Sequence, residues 1–274
     1  MKLTSKILLA LLLLLIVELM SSNIILKKEY DKMDKTDIYW TYEKVLQQPF
    51  KYLKITGGNG TKIAFEQSTK PSVRILQEWE RYHQGKVKAH ITNDTLYINF
   101  DFTPANLYEK FWMQNITAVR IFSPELLSVD GYNTNFEMYK LKQKSINVNL
   151  SGKSQFEVES MIPAMDSLTI AQKDSSAVVF EMSPEYKQVP SSADEPKPMV
   201  VKANVNGGVV TYTPGPPIAS PEAMSINSVK ADLQGYTILD LGHAQVQALQ
   251  LHIADSSAII LSGGALRKIN KSLE

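Results

Sequence analysis

Beyond residue 50, apolar and polar residues alternate in short runs, the two-residue period of strands with one buried face. Two stretches share one plan: Leu168-Thr169-Ile170-Ala171-Gln172-Lys173-Asp174-Ser175-Ser176-Ala177-Val178-Val179-Phe180 and Leu251-His252-Ile253-Ala254-Asp255-Ser256-Ser257-Ala258-Ile259-Ile260-Leu261. Each is an alternating strand, an Asp-Ser-Ser corner and a second apolar strand, and the corners stand 81 residues apart. Comparable units precede them. Leu127-Ser128-Val129 meets the corner Asp130-Gly131 and then Phe136-Glu137-Met138, and Ile146 to Leu150 meets Ser151-Gly152 and then Phe156-Glu157-Val158. The strand starts at 127, 146 and 168 are 19 and 22 residues apart, a degenerate repeat in the range of solenoid periods. One such unit cannot bury its apolar face alone, whereas stacked units hydrogen-bond equivalent strands and build a continuous column of Val, Ile, Leu and Phe. Gly, Ser and Asp suit the corners, where φ turns positive or a side chain bonds nearby backbone.

Ahead of the repeats the pattern predicts hairpins. Tyr52 to Ile55 and Thr61 to Glu66 flank the turn cluster Thr56-Gly57-Gly58-Asn59-Gly60, and Lys86 to Ile91 and Thr95 to Phe100 flank Thr92-Asn93-Asp94. Ser72 to His83 fits a short helix or an irregular strand. Residues 183–228 hold eight of the 13 prolines. Proline cannot donate to a ladder, so this is an excursion from the stack, with a third hairpin of Met199 to Val205 and Val209 to Tyr212 inside it. The stack resumes at Val229, turns at Gly242-His243-Ala244, Asp255-Ser256-Ser257 and Ser262-Gly263-Gly264, and ends in the charged run Leu266 to Glu274, which suits a polar end-cap.

The N-terminus is of another kind. An unbroken apolar run from Ile7 to Val17 follows Lys2 and Lys6. Cleavage after Ser21 or Ser22 would put Leu19 or Met20 at −3, where a signal peptidase needs a small residue. An uncleaved anchor over residues 7–26 is the preferred reading: twenty helical residues span roughly 30 Å, the thickness of the hydrocarbon core. Lys27 and Lys28 balance Lys2 and Lys6, so charge gives little orientation. The expected domains are residues 1–26 as signal anchor or transmembrane segment, 27–48 as a juxtamembrane stalk, and 49–274 as the stacked β domain. The run Ile38-Tyr39-Trp40-Thr41-Tyr42 near the end of the stalk could dock on a membrane interface or a glycan, with packing on the following domain preferred.

Lys and Arg number 29 against 28 Asp and Glu, so no net field attracts nucleic acid and no basic stripe is present. The chain has no cysteine, which excludes disulfides, thiolate metal sites, cysteine nucleophiles and lipid attachment through an N-terminal cysteine. Its stability must come from packing.

Few residues suggest catalysis. The Gly57 to Lys62 run lacks phosphate-loop spacing and a following helix. His90, beside Asp94 and Asp101, has no second histidine at ligand spacing. Glu157 and Glu159, two apart on one strand, share a face and are the best carboxylate candidates for glycan cleavage, though solvated outward charges explain them better. Asp130 and Asp240 stand alone. Ser256, His252 and Asp255 do not form a triad, because His252 and Asp255 point to opposite faces of a strand and no Gly-x-Ser-x-Gly elbow is present. No catalytic, cofactor-binding or metal-binding residue, and no cofactor, is expected. The sequons at Asn93, Asn115 and Asn149 carry no weight.

Phe50-Lys51-Tyr52-Leu53-Lys54-Ile55, Asp94-Thr95-Leu96-Tyr97-Ile98 and the units ending in Asp255 to Gly264 resemble the auto-transporter adhesin family with the head GIN domain, found in bacterial cell envelopes. The likeness covers about residues 50–274. The corners here are poorer in glycine than the family's, and the proline-rich excursion is a departure. The resemblance implies an exported, right-handed stacked β-fold with no catalytic residues to carry over. The expected fold is therefore all-β: a right-handed parallel β-solenoid-like stack with N-terminal β-hairpins and an N-terminal transmembrane helix. The expected function is a non-catalytic envelope protein, anchored through residues 7–26 with its β domain outside the cytoplasm, or secreted if cleaved. It would offer the stack to a polysaccharide or an envelope protein and would not bind nucleic acid. The alternatives are a carbohydrate-active β-helix lyase or hydrolase of the envelope (by fold analogy) and an envelope sensor or assembly factor.

Overall fold

The computed structural model describes residues 3–32, 34, 36–82, 85–102, 107–139, 141–159, 164–180, 201–205, 208–212 and 225–261. The chain divides into two compact units, Met1–Glu43 and Lys44–Glu274.

The first unit is dominated by one helix, α1 (Leu3–Lys32). It holds a span, Lys6–Asp31, long and apolar enough to cross a membrane, whose most apolar 18-residue window is not buried in protein. The helix does not stop at Leu26 but runs on through Lys27, Lys28 and Glu29. Beyond it, Asp34 Oδ1 accepts hydrogen bonds from the Thr36 amide (3.0 Å) and hydroxyl (2.6 Å), and Asp37 Oδ1 accepts from the Tyr39 amide at 3.0 Å. These short Asp turns are what a polar side chain gives an otherwise unpaired backbone. The Tyr39 and Tyr42 rings meet edge to face at 6.1 Å.

The second unit is built of strands. In chain order they are β1 (Tyr42–Leu46, entering from the first unit), β2 (Tyr52–Thr56), β3 (Lys62–Gln67) and β4 (Ser72–Leu76), then helix α2 (Gln77–Tyr82), β5 (Val87–Thr92), β6 (Thr95–Phe100) and helix α3 (Leu107–Gln114). There follow β7 (Thr117–Ser123), β8 (Ser128–Tyr132), β9 (Asn135–Tyr139), β10 (Ser145–Ser151), β11 (Gln155–Val158), β12 (Ala164–Gln172) and β13 (Ala177–Phe180). The last are β14 (Val201–Val205), β15 (Gly208–Tyr212), β16 (Ser225–Leu233), β17 (Ile238–Asp240), β18 (Gln245–Ile253) and β19 (Ala258–Ile260).

They form a nine-stranded sheet, β1-β4-β7-β3-β9-β11-β13-β17-β19, an eight-stranded sheet, β18-β16-β12-β10-β8-β2-β6-β5, and the separate pair β14-β15. From β8 onward, leaving aside β14 and β15, the chain alternates between the two large sheets, and each strand lies parallel to the one laid down a unit earlier. The sheets as wholes are mixed: β4 is antiparallel to β7 and β5 to β6. Of these, the β5-β6 pair is one of the expected N-terminal hairpins, whereas the antiparallel β4-β7 pair inside the nine-stranded sheet corrects the expected parallel stack.

The first expected hairpin is also corrected. β2 lies in the eight-stranded sheet between β6 and β8, and β3 in the nine-stranded sheet between β7 and β9. Gly57 (φ +82°) and Gly58 (φ +89°) carry the chain between them. Gly57 N–H donates to the Tyr132 carbonyl and Asn59 N–H to the Asn133 carbonyl, so this turn lies against the turn of a later unit. Alternation in two flanking strands shows that each buries one face; it does not say whether they pair with each other. The β5-β6 hairpin is as expected, its turn made by Asn93 (φ +49°) and Asp94 (φ +58°), the paired left-handed residues of a tight two-residue turn. Ser72 to Tyr82 is a strand followed by a helix. The corner expected at Asp130-Gly131 falls inside β8, and the chain turns instead at Asn133 (φ +51°). Gly152 (φ +67°), Asp174 (φ +64°) and Gly242 (φ +52°) sit at their expected corners.

Both sheets contribute their inward faces to one core. On the nine-stranded side Ile63, Phe136, Phe156, Val178 and Leu239 lie in register on successive strands, and on the other side Leu53, Val129, Val148, Ile170 and Ala231 do the same. All ten are buried, at about 1.5–3 kcal/mol for each larger side chain. The hairpin inside the proline-rich stretch is present as β14 and β15. The remainder of that excursion, the Ser262-Gly263-Gly264 corner and the proposed end-cap lie outside the described residues.

Candidate functional site on the outer face of the eight-stranded sheet

Parallel, in-register strands do to the outward positions what they do to the core: they line them up. One row runs His90, Tyr97, Lys54, Asp130, Asn149, Ala171, Asp232, His252, each opposite the next on the neighbouring strand. A second row, two residues earlier, is Thr95, Tyr52, Ser128, Asn147, Thr169, Lys230, Gln250. Part of a third holds Asn99, Thr56, Tyr132 and Ser151. Strand spacing sets about 4.8 Å between neighbours in a row.

Neighbours in the first row are bonded. Asn149 Nδ2 donates to Asp130 Oδ1 at 2.6 Å, and His252 Nδ1 lies 2.9 Å from Asp232 Oδ1. The Asp232 carboxylate, which also accepts from Gln234 Nε2 at 3.0 Å, is held below its usual range by the His252 and Gln234 hydrogen bonds. At the other end His90 stacks on Tyr97, with centroids 5.0 Å apart and planes within 6°.

Ala171 interrupts the row. Its methyl group stands between Asn149 and Asp232, and it lies at the β12 side of a groove of about 390 Å³ lined also by Lys54, Thr56, Asp130, Tyr132, Asn149, Ser151 and Lys173. The wall therefore offers cationic donors, a carboxylate, amide and hydroxyl groups, and an aromatic ring 51% exposed at Tyr132.

The nine-stranded sheet carries the charged residues expected from sequence. Glu157 lies in register with Glu137 on β9. Glu137 is fully buried: Lys62 Nζ reaches its Oε1 at 2.5 Å, and Tyr139 donates its hydroxyl to Oε2 at 2.6 Å. Lys62 is held above its ordinary value by the hydrogen bond it donates to Glu137, with the negative charges of Glu137, Glu157 and Glu159 adding to it against the cost of burial. Tyr139 is pushed up by burial and by the hydrogen bond its own hydroxyl donates to Glu137. Glu157 and Glu159 are thus joined by a third carboxylate, already engaged by a cation and a phenol. Next to it, Arg120 Nη1 bonds Glu66 Oε1 at 2.7 Å.

The remaining sequence candidates are dispersed. Ser256 and Ser257 both donate to the Gly235 carbonyl, at 2.7 and 2.8 Å, His252 turns to Asp232 and not Asp255, and Asp240 Oδ1 accepts from the Gly242 amide at 2.8 Å. Among the described residues no group of three His, Asp or Glu is placed to hold a metal ion. The sequence reading missed the rows and the groove. Their signal is the recurring polar–apolar–polar triplet, as in Tyr52-Leu53-Lys54, Ser128-Val129-Asp130, Asn147-Val148-Asn149 and Lys230-Ala231-Asp232; aligning the units on their outward positions would have exposed it.

No family model and no curated protein matches the chain. Among solved structures, it is similar to a "putative adhesin" from Bacteroides fragilis at 10% identity and TM-score 0.39, covering 81% of this chain and 96% of that one. It is similar also to a "putative adhesin" and a "putative lipid binding protein" from Parabacteroides distasonis. Those two matches have identities of 10% and 9% and TM-scores of 0.35 and 0.33, each covering 81% of this chain and 94% of the other. At these identities and scores the likeness adds nothing about ligand or activity.

Proposed function

We propose that this chain is a non-catalytic protein of the bacterial cell envelope, anchored through residues 7–26, with the segment between that span and strand β1 as its stalk. In this reading the strands from β8 onward form a right-handed β-solenoid held outside the cytoplasm as a binding surface, in the manner of the adhesin family its units resemble. The observation that carries the binding reading is the outer face of the eight-stranded sheet, where three rows of polar and aromatic side chains are held in register by rigid strands, with a groove at Ala171. A fixed array of donors and acceptors on regular strands is preorganised for binding. Turnover would need a carboxylate able to take or give a proton at a substrate. The buried one at hand, Glu137, is committed to Lys62 and Tyr139, which favours a structural part for that cluster over the carbohydrate-active alternative.

The test is membrane fractionation of the full chain with alkaline carbonate extraction, followed by protease treatment of intact cells and spheroplasts. The reading requires the chain to stay in the membrane pellet and its β unit to be cleaved only from outside the cytoplasmic membrane. Release by carbonate would sink the anchor, and protection in spheroplasts would sink the location.

A further inference from the structure

We infer that the groove at Ala171 and the rows beside it bind an extended, hydroxyl-rich glycan chain lying across the strands; this rests on the binding reading above and names its ligand class. Lys54 and Lys173 stand in the same groove wall as Asp130, with Asn149 and Ser151 beside them. A simple anion would be repelled by Asp130 and a simple cation by the two lysines. A sugar hydroxyl donates and accepts at once, and suits a wall that does both.

Among the described residues, the large exposed hydrophobic side chains of β2, β5, β6, β8, β10, β12 and β16 are Tyr52 and Tyr132, 41% and 51% exposed. A protein partner favours a contiguous apolar centre depleted of charge, which these seven strands lack. Isolated tyrosines amid amides and hydroxyls instead offer ring faces to the C–H faces of sugar rings while the flanking polar groups take their hydroxyls.

The rows extend beyond the groove in both directions, through Tyr97 and His90 on one side and Asp232 and His252 on the other. Equivalent positions recur at the strand spacing, about 4.8 Å, close to the length of one pyranose unit. A straight β-linked chain laid along a row would therefore meet one position of the row at each sugar, whereas a single sugar would use only the groove. Ala171 is the point of closest approach, because the row there has no side chain beyond a methyl.

The experiment is isothermal titration of the full chain, in detergent micelles, with cellohexaose and with chitohexaose, followed by mass analysis of the recovered sugar. Saturable binding of at least one hexamer is expected, at least about tenfold weaker for the corresponding dimer, with Tyr132→Ala weakening it about tenfold. Ala171→Trp, which fills the groove from the solvent side, should abolish it, Asn149→Ala should weaken it, and Lys70→Ala on a distant loop should leave it unchanged. Thermal melts confirm that each variant is folded. Failure of both hexamers to bind, or unchanged affinity in folded Ala171→Trp and Tyr132→Ala, overturns the inference while leaving the anchored binding protein standing. Binding accompanied by shortened sugar products keeps the glycan face and overturns the non-catalytic reading.

Discussion

Phe156 lies directly over Phe136, its in-register partner one unit earlier, with ring centroids 5.7 Å apart and both side chains fully buried. Ile63 continues the column on one side and Val178 on the other. An aromatic at this position therefore has its own unit above and below as packing partners. Phe156→Ala should cost about 3–5 kcal/mol, read as a drop in the urea midpoint of the β unit with an unchanged slope. Phe156→Leu should recover most of that loss. A cost below about 1 kcal/mol for the alanine variant would mean that the units do not pack as one core.

Gly131 is inward-facing within β8 and needs its missing side chain. A Cβ there would lie 2.7 Å from Thr134 Cγ2 and 2.9 Å from Leu150 Cδ2. Its backbone φ is not in the left-handed region, so the constraint is packing and not conformation. Gly131→Ala should destabilise by about 1–3 kcal/mol through overpacking, and trimming Leu150 to Val in the same chain should relieve part of it. Equal stability of Gly131→Ala and the parent in chemical denaturation would show the contact to be slack.

Asp174 combines two demands in one corner: it sits at φ +64°, and its Oδ2 accepts a hydrogen bond from the Gly152 amide of the preceding unit at 2.8 Å. Asp174→Ala loses the acceptor and keeps the strained backbone, for a combined cost of about 1–3 kcal/mol. Asp174→Gly relieves the strain but not the lost bond and should fall between the two, while Asp174→Asn should be nearly neutral. The order Asn, Gly, Ala in melting temperature is the outcome to check, and Ala above Gly would show that strain plays no part.

Lys62 and Tyr139 make the β unit sensitive to alkali. Both are held above their ordinary values in the fold. For each, the folded state keeps its proton where the unfolded chain has begun to lose it, so the stabilisation is complete below the unfolded pKa and declines as pH rises past about 10. Melting temperature should therefore fall above about pH 10, and Tyr139→Phe should flatten that fall. Glu137→Gln removes the partner of Lys62 and should lower stability at pH 7 while weakening the alkaline dependence. An alkaline slope identical in all three chains would contradict the buried Lys62–Glu137–Tyr139 arrangement.

Much of the architecture is legible in the one-dimensional pattern. Two-residue alternation depends on local chain geometry alone, so the strands around Phe136, Phe156, Leu168 and Val229, the left-handed corners at Gly152 and Asp174, and the apolar N-terminal helix can be read from neighbouring residues. The Asn93-Asp94 hairpin is legible for the same reason: its turn type follows from two adjacent residues that tolerate positive φ. Pairing is not local. That β2 and β3 part into different sheets, and that Asp130-Gly131 continues a strand where a corner is expected, depend on which distant backbone supplies the ladder partners, and the alternation of β2 is the same in either case.

The same division holds for the surfaces. Residue by residue, the sequence determined that Lys54, Asp130, Asn149 and Asp232 sit on polar positions of strands, and that the chain has no cysteine and no motif for cofactor or phosphate. Only the tertiary structure decided that these four lie on one line across the sheet, that Ala171 leaves the gap between two of them, and that Glu137 gathers Lys62 and Tyr139 beside Glu157. Apart from the Glu137–Tyr139 bond, which joins residues two apart on one strand, each of those facts is a register between strands at least 19 residues apart in the chain or a contact between distant residues, as of Lys62 with Glu137. Register comes from the summed fit of the whole core, in which every inward side chain must meet its neighbour, and no single segment contains that sum.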